Sequence, residues 1–370
     1  MTDRKNLFEE FPAVNTEKWI SEIERFLKGK STTSLSFNID TNLSFSPLNR
    51  SENSTPQYLG TVNLQSQNNW HICEEIETQS FTDGELIEYK KINSYLLESL
   101  RKGANALVII LHKLPSAKEL ETLLEGVLFD LIPVHFKGLI FHSLPAEFLT
   151  NLSKTTFASK IHGSCDLSNN SEDKLIDCLD ICLTCGLNLR PINITINNNS
   201  TEQLSYAIFK TSRWIDLLLE KGKSIGQIIT NIRFEYNVGT DYFIEIASIR
   251  ALKKLWFGML EAYKVEKPYS PYIHAITQSN QNENQYKNMV VATTQTMSAA
   301  IGGVNSIYVL PSDKKNKTNE FSRRIARNVQ HILQSETHLN RVIDPAAGSY
   351  YLENLTIAIA EKAWEKFCKL

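Results

Sequence analysis

Glu74, Glu75, His112, His142, Asp166, Asn197, Glu235, His274 and Asp313 stand out among the polar side chains because each closes or follows a short apolar run. That is where a strand of an α/β fold delivers a side chain to the carboxyl end of a sheet. Glu74 and Glu75 are adjacent carboxylates, but neighbours on a strand point to opposite faces, so they cannot form a facing acid–base pair. His112, His142 and His274 end three different runs and would suit zinc or iron if they converged. No His-x-His or His-Glu-x-x-His spacing supports a metal, and the alternative is that these histidines bond to loops at a rim. Gly-x-Gly-x-x-Gly, Walker and Gly-x-Ser-x-Gly loops are absent from the sequence. Gly302-Gly303 reads as a helix stop.

Cys178, Cys182 and Cys185 have the C-x3-C-x2-C spacing of radical S-adenosylmethionine enzymes, which hold three irons of a [4Fe–4S] cluster with it. In those enzymes the cysteines wrap the cluster from an irregular loop after the first strand. Here they fall at i, i+4 and i+7 of a helical pattern deep in the chain. On a straight helix the first and third sulfurs would stand about 10 Å apart along the axis. The competing reading makes them small buried hydrophobes.

The elements that must position these residues follow from periodicity. Trp19, Ile20, Ile23, Phe26 and Leu27 form one apolar stripe of an N-terminal helix that Gly29 can stop, and residues 30–57 read as an extended arm and linker. Eight apolar or β-branched runs follow: Trp70–Ile76, Ala106–His112, Gly138–Phe141, Ser159–Cys165, Ile192–Ile196, Ile228–Phe234, Tyr272–Ile276 and Ser306–Leu310. A helical pattern lies in each gap. Thr82–Glu85, Ser116–Glu119 and Ser200–Gln203 are Ser/Thr-x-x-Glu/Gln capping boxes in phase with this rhythm. Eight βα units predict an α/β fold of the (β/α)8 TIM-barrel type, with an open α/β sheet as the alternative. The implied domains are an N-terminal helix and arm over 1–57, a barrel over 58–345 and a C-terminal helix over 346–370.

Composition bounds the function. Apolar residues make up 42% and charged residues 22%, which suits a protein with a sizeable core. Lys+Arg 39 against Asp+Glu 41, with no dense basic run, argues against a nucleic-acid surface. The N-terminus lacks the apolar core of a signal peptide and no run suits a bilayer span, so a cytoplasmic protein with mostly reduced cysteines is expected.

Several blocks resemble a known family. Gly239-Thr-Asp-Tyr-Phe-Ile-Glu-Ile-Ala-Ser-Ile-Arg-Ala-Leu-Lys-Lys-Leu-Trp256 is similar to the helix after the sixth strand of methylmalonyl-CoA mutases. His274-Ala-Ile-Thr-Gln, Thr293-Thr, Ala299-Ala-Ile-Gly-Gly303 and Ser306-Ile resemble the seventh and eighth units. Ser322-Arg-Arg-Ile-Ala-Arg-Asn-Val-Gln-His-Ile-Leu333 and Asp344-Pro-Ala-Ala-Gly-Ser-Tyr-Tyr-Leu-Glu-Asn-Leu-Thr356 resemble its most recognisable blocks. Leu7-Phe-Glu-Glu-Phe-Pro, Trp19 and Leu27-Lys-Gly29 are similar to the start of the small subunit of the heterodimeric bacterial enzymes. The resemblance implies a barrel that in the catalytic subunit threads the pantetheine arm of acyl-CoA along its axis, and an adenosylcobalamin domain with an Asp-x-His-x-x-Gly motif.

The departures point to a non-catalytic role. The Asp-x-His-x-x-Gly motif is absent up to Leu370. Asn69-Trp-His-Ile-Cys-Glu-Glu lacks the tyrosine and arginine of the catalytic first strand. Asn193 and Ile194 stand where tyrosine and histidine would, and isoleucine cannot donate a hydrogen bond to a thioester carbonyl. No catalytic, cofactor or metal residue is therefore assigned to this chain, and adenosylcobalamin is expected on its partner. The resemblance implies a heterodimer with a cobalamin-binding large subunit, in which Phe8, Phe11, Trp19, Ile23 and Phe26 are either interface anchors or packed on their own barrel. The alternative is the barrel half of a split acyl-CoA mutase that uses a separate cobalamin domain.

Overall fold

A computed structural model describes residues 14–40, 43–50, 67–83, 86–167, 170–267, 269–278, 284–313 and 319–370. Eight strands form its centre: β1 (His71–Glu77), β2 (Ala106–Ile110), β3 (Val134–Lys137), β4 (His162–Cys165), β5 in two pieces (Asn188–Arg190 and Ile192–Ile196), β6 (Ile232–Val238), β7 (Tyr272–Thr277) and β8 (Ser306–Tyr308). All neighbouring pairs are parallel, and the sheet runs from the second piece of β5 through β6, β7, β8, β1, β2, β3 and β4 to the first piece of β5. Pro191 alone separates the two pieces, so the chain itself closes the ring. Proline has no N–H to give to a ladder, which breaks the strand there. The first piece pairs with β4 (Ser164 opposite Arg190) and the second with β6 (Ile192 opposite Ile232). The fold is the expected (β/α)8 barrel.

The helices are α1 (Thr16–Phe26), α2 (Tyr89–Arg101), α3 (Ala117–Leu124), α4 (Ile140–Ser143), α5 (Pro145–Ser153), α6 (Glu172–Thr184), α7 (Thr201–Glu220), α8 (Ile225–Thr230), α9 (Tyr242–Ala262), α10 (Gln285–Gly302), α11 (Glu320–Ser335) and α12 (Tyr350–Phe367). The main core lies between strands and helices, where Leu107, Ile109, Val134, Phe136, Ile194, Phe234 and Ile307 are fully or almost fully buried.

Two strand positions differ from the sequence reading. The third strand is Val134–Lys137, and the apolar Leu139-Ile-Phe141 run turns into α4 instead. Gly138 makes the turn with φ 130°, and a Cβ there would lie 2.0 Å from the Leu111 carbonyl oxygen. Ile228 and Ile229 belong to α8, which a Ser224–Gln227 capping box starts, so the sixth strand begins at Ile232. Of the predicted boxes, Ser116–Glu119 is complete. Ser200 caps α7, but the Gln203 side chain turns to the Asn197 N–H (3.3 Å). Thr82–Asp83 forms a short antiparallel pair with Leu86–Ile87, and α2 starts at Tyr89.

Buried charge ties the recognisable blocks to the barrel. Arg250 on α9 donates to Asp344 (2.8 Å), Glu353 (2.9 Å) and Thr356 (3.3 Å), which clamps α12 and the segment before it onto α9. Glu74 points outward from β1 and accepts from Arg323 and Arg327 of α11. The arm behaves in two ways. Its hairpin, Phe37–Asp40 with Leu43–Phe45, docks on α12: Phe45 meets Tyr351 edge-on (centroids 5.7 Å), and Asp40 accepts from Lys366 (2.8 Å). In contrast, α1 has no buried residue, its Phe26 is 80% exposed, and none of its stripe is among the side chains packed on the main core. Phe8 and Phe11 lie outside the described residues.

Removing Glu74 takes the salt-bridge partner from buried Arg323 and leaves buried Arg327 only its second partner, Glu320 (3.0 Å). Glu74→Ala is expected to destabilise the fold by about 3–5 kcal/mol, read from urea unfolding, and a change below about 1 kcal/mol would contradict this account of how α11 is held.

Candidate functional site

Strand alternation sends His135 and Lys137 of β3, Ser164 of β4, Arg190 and Asn193 of β5, Arg233 and Glu235 of β6, Tyr272 and His274 of β7 and Ser306 of β8 into the barrel. Arg190 and Asn193 are three apart, so the break at Pro191 also shifts the alternation of β5 and brings both inside. Cys73, Ala106, Val108 and Tyr308 form a small separate apolar cluster on the β8, β1 and β2 side.

The polar groups meet across the axis. Arg233 is fully buried and donates to Ser164 and, at 3.3 Å, to Glu235, which also receives Lys137. Ser164 bonds His135 Nδ1 (2.9 Å), and His135 Nε2 reaches the Tyr272 hydroxyl (3.4 Å). β3 and β7 are opposite strands of the ring, so this contact spans the barrel. Tyr272 also reaches Ser306 (3.3 Å), which bonds His274 Nδ1 (2.8 Å), while the Arg190 guanidinium lies 4.5 Å from the Tyr272 ring centre. Side chains fill the axis at this level.

Burial dominates the titration of these groups. It holds His135 and His274 well below the usual imidazole range, with the Arg233 charge acting in the same direction. Burial also pushes the Cys73 thiol up to about 12, so its 3.9 Å contact with His274 is one of neutral groups.

Of the residues singled out in the sequence, Glu235 and His274 belong to this network. Glu75 faces the interior beside Tyr308, opposite to Glu74 as expected. The other residues are distributed around the rim. His112 pairs with Glu77 (3.2 Å), His142 is exposed on α4, and Asp166 donates its backbone N–H to Phe136. Asn197 accepts from Asn237 and Gln278, and Asp313 accepts from Asn319 (3.1 Å). His112, His142 and His274 do not come together, and among the described residues no group of three or more His, Cys, Asp and Glu is placed to hold a metal ion. Cys178 and Cys182 are buried on α6 beside Cys165 of β4, and Cys185 is exposed at the helix end. Sequence reasoning passed over Arg190, Arg233, His135, Lys137 and Tyr272. The available signal was the alternation of Arg233 with Glu235 and of His135 with Lys137, charged or polar residues two apart inside apolar runs.

A model of the methylmalonyl-CoA mutase family matches residues 197–370. The methylmalonyl-CoA mutase small subunit of Porphyromonas gingivalis is 30% identical over 99% of this chain and 64% of its own length. The chain belongs to the methylmalonyl-CoA mutase family. The small subunit of Propionibacterium freudenreichii subsp. shermanii is 34% identical over 45% of this chain and 27% of that protein. The methylmalonyl-CoA mutase of Cereibacter sphaeroides is 35% identical over 45% and 24%. Among solved structures, the dihydropteroate synthase of Xanthomonas albilineans is similar with a TM-score of 0.41 and 11% identity over 72% of this chain and 94% of that one. In this member of the mutase family the best-matched segment contains Arg250, Asp344 and Glu353, which hold helices together, and the interior Glu235 and His274. Among the described residues no helix is long and apolar enough to cross a membrane.

The neutral buried histidines set a pH dependence. Their folded pKa lies below the ordinary 6.5, so below that pH the unfolded chain binds more protons than the folded one. The stability they support is therefore complete above pH 6.5 and declines as pH falls, by about 1.4 kcal/mol per histidine per pH unit. Unfolding free energies measured between pH 7.5 and 5.5 are expected to fall less steeply in His274→Asn than in the unmodified chain. Equal slopes would contradict the neutral state of His274.

Proposed function

We propose that this chain is the barrel of a non-catalytic small subunit, which supports a cobalamin-binding large subunit that interconverts methylmalonyl-CoA and succinyl-CoA. The observation that carries the reading is the filled axis. A catalytic mutase barrel must pass the pantetheine arm of acyl-CoA between its strands, whereas here His135 and Tyr272 touch from opposite sides with Arg233 and Arg190 beside them. The same feature counts against a split acyl-CoA mutase, which would need that passage. The small-subunit names of two relatives support the reading further.

In this account adenosylcobalamin and the reacting acyl group belong to the large subunit, and this chain contributes surface. The apolar stripe of α1 is the natural contact. Trp19, Ile20, Ile23 and Leu27 are only half-buried and Phe26 is exposed. A helix with two aromatic residues on an apolar face that lies off its own core has the composition of an interface anchor.

Sedimentation of the chain with its cognate cobalamin-loaded large subunit tests this. A 1:1 complex carrying cobalamin absorbance is expected. Trp19→Ala with Phe26→Ala should weaken it at least about 30-fold, the equivalent of roughly 2 kcal/mol at an interface anchor, without altering the unfolding of the isolated chain. Absence of association would overturn the reading, and unaltered affinity in the double variant would remove α1 from the interface.

A further inference from the structure

Two of the three cysteines spaced C-x3-C-x2-C along α6 face a fourth, Cys165 of β4. Ser164 points into the barrel, so strand alternation turns Cys165 outward to the helix layer. Cys165, Cys178 and Cys182 are buried in the main core. The Cys182 side chain hydrogen-bonds the Cys165 thiol, and this contact together with burial holds Cys165 well above the usual thiol range. Burial pushes the Cys178 thiol up to about 12. A thiol held protonated and away from solvent is a poor nucleophile, so neither is the point where an oxidant enters.

Cys185 differs. It caps the C-terminus of α6, is exposed, and follows Cys182 by three residues, which makes the two neighbours on the helix surface. Gly186 comes next, in the left-handed region with φ 66°. Residues three apart on a helix have Cβ atoms about 5–6 Å apart, beyond the about 3.5–4.5 Å that a disulfide spans, so bridging Cys182 and Cys185 tightens the last turn. A cap followed by glycine can give in this way. Cys178 and Cys182 lie within the regular helix, where the same adjustment would break its hydrogen bonds. A bridge between Cys165 and Cys182 needs no such distortion, because their side chains already meet across the strand–helix interface.

We propose that Cys185, Cys182 and Cys165 form a thiol relay that turns oxidation by a peroxide at the surface into a buried Cys165–Cys182 disulfide joining α6 to β4. The peroxide O–O bond breaks as Cys185 takes one oxygen and becomes a sulfenic acid, and the other oxygen leaves as water. Cys182 then displaces the sulfenic oxygen as a second water and forms Cys182–Cys185. Cys165 attacks the Cys182 sulfur, and its proton passes to the departing Cys185 thiolate. Burial of Cys165 makes this last step the slowest, and the contact between the two side chains makes it intramolecular. In sum two thiols lose two electrons and two protons while one hydrogen peroxide becomes two waters. The relay lies entirely within this chain and does not depend on the small-subunit reading.

Mass spectrometry of non-reduced tryptic peptides tests it, after treatment of the whole chain with equimolar hydrogen peroxide and then alkylation. The expected product joins the peptide 161–174, which contains Cys165, to the peptide that begins at Leu175, with Cys182 as the attachment point and Cys185 alkylated. Cys185→Ser should slow its formation at least about tenfold, because oxidation must then wait for a local opening of the fold. A bridge confined to Cys182 and Cys185, an equal rate in Cys185→Ser, or no bridge at all would each overturn the proposal.

Discussion

Arg233 carries a permanent charge into the middle of a barrel from which water is excluded, and most of the interior is arranged around that fact. A buried guanidinium must be bonded and offset by charge, because stranding it costs several kcal/mol. Glu235, two residues further along the same strand, supplies the charge, and Ser164 supplies the acceptor. Burial beside this guanidinium charge holds the two histidines neutral. The filled axis follows from this network. The space that an acyl-CoA arm would need is occupied by the side chains that stabilise one cation.

The features that make the chain recognisable do different work from the features that decide what it does. Arg250, Asp344, Glu353, Arg323 and Arg327 come from the blocks that carry the resemblance, and all of them pack helices against helices or against β1. A family can keep these clamps whether or not a member performs chemistry, since they act on the outer layer of the barrel. The polar side chains that meet inside the barrel, Arg233 and His135 among them, act on the axis instead. The arm divides in the same way, into a hairpin bound to its own α12 and a helix whose apolar face lies off the core.

The barrel was legible in the sequence because six of the eight strands fall at the runs read there, and all of these except the polar His-Gly-Ser-Cys of β4 carry the apolar or β-branched residues that buried parallel strands need. The third strand was hidden because Val-His-Phe-Lys turns a histidine and a lysine inward, which hides its apolar face, while Leu139-Ile-Phe looked more strand-like and became a helix. The sixth was displaced because Ser224-Ile-Gly-Gln caps a helix of six residues just before it. At the site, single residues were visible but their meeting was not. His112, His142 and His274 look equivalent at strand ends, yet the first is at the rim, the second is on a helix and the third is buried. Contacts across a barrel depend on register and on the break at Pro191, and neither leaves a local signature.

Equilibrium dialysis with labelled methylmalonyl-CoA, applied to the isolated chain and to its complex with the cobalamin-loaded large subunit, tests the central claim most directly. The account predicts no binding to the isolated chain and one acyl-CoA per complex. Saturable binding of acyl-CoA to the isolated chain would mean that the barrel axis opens, and it would contradict a role confined to supporting the partner.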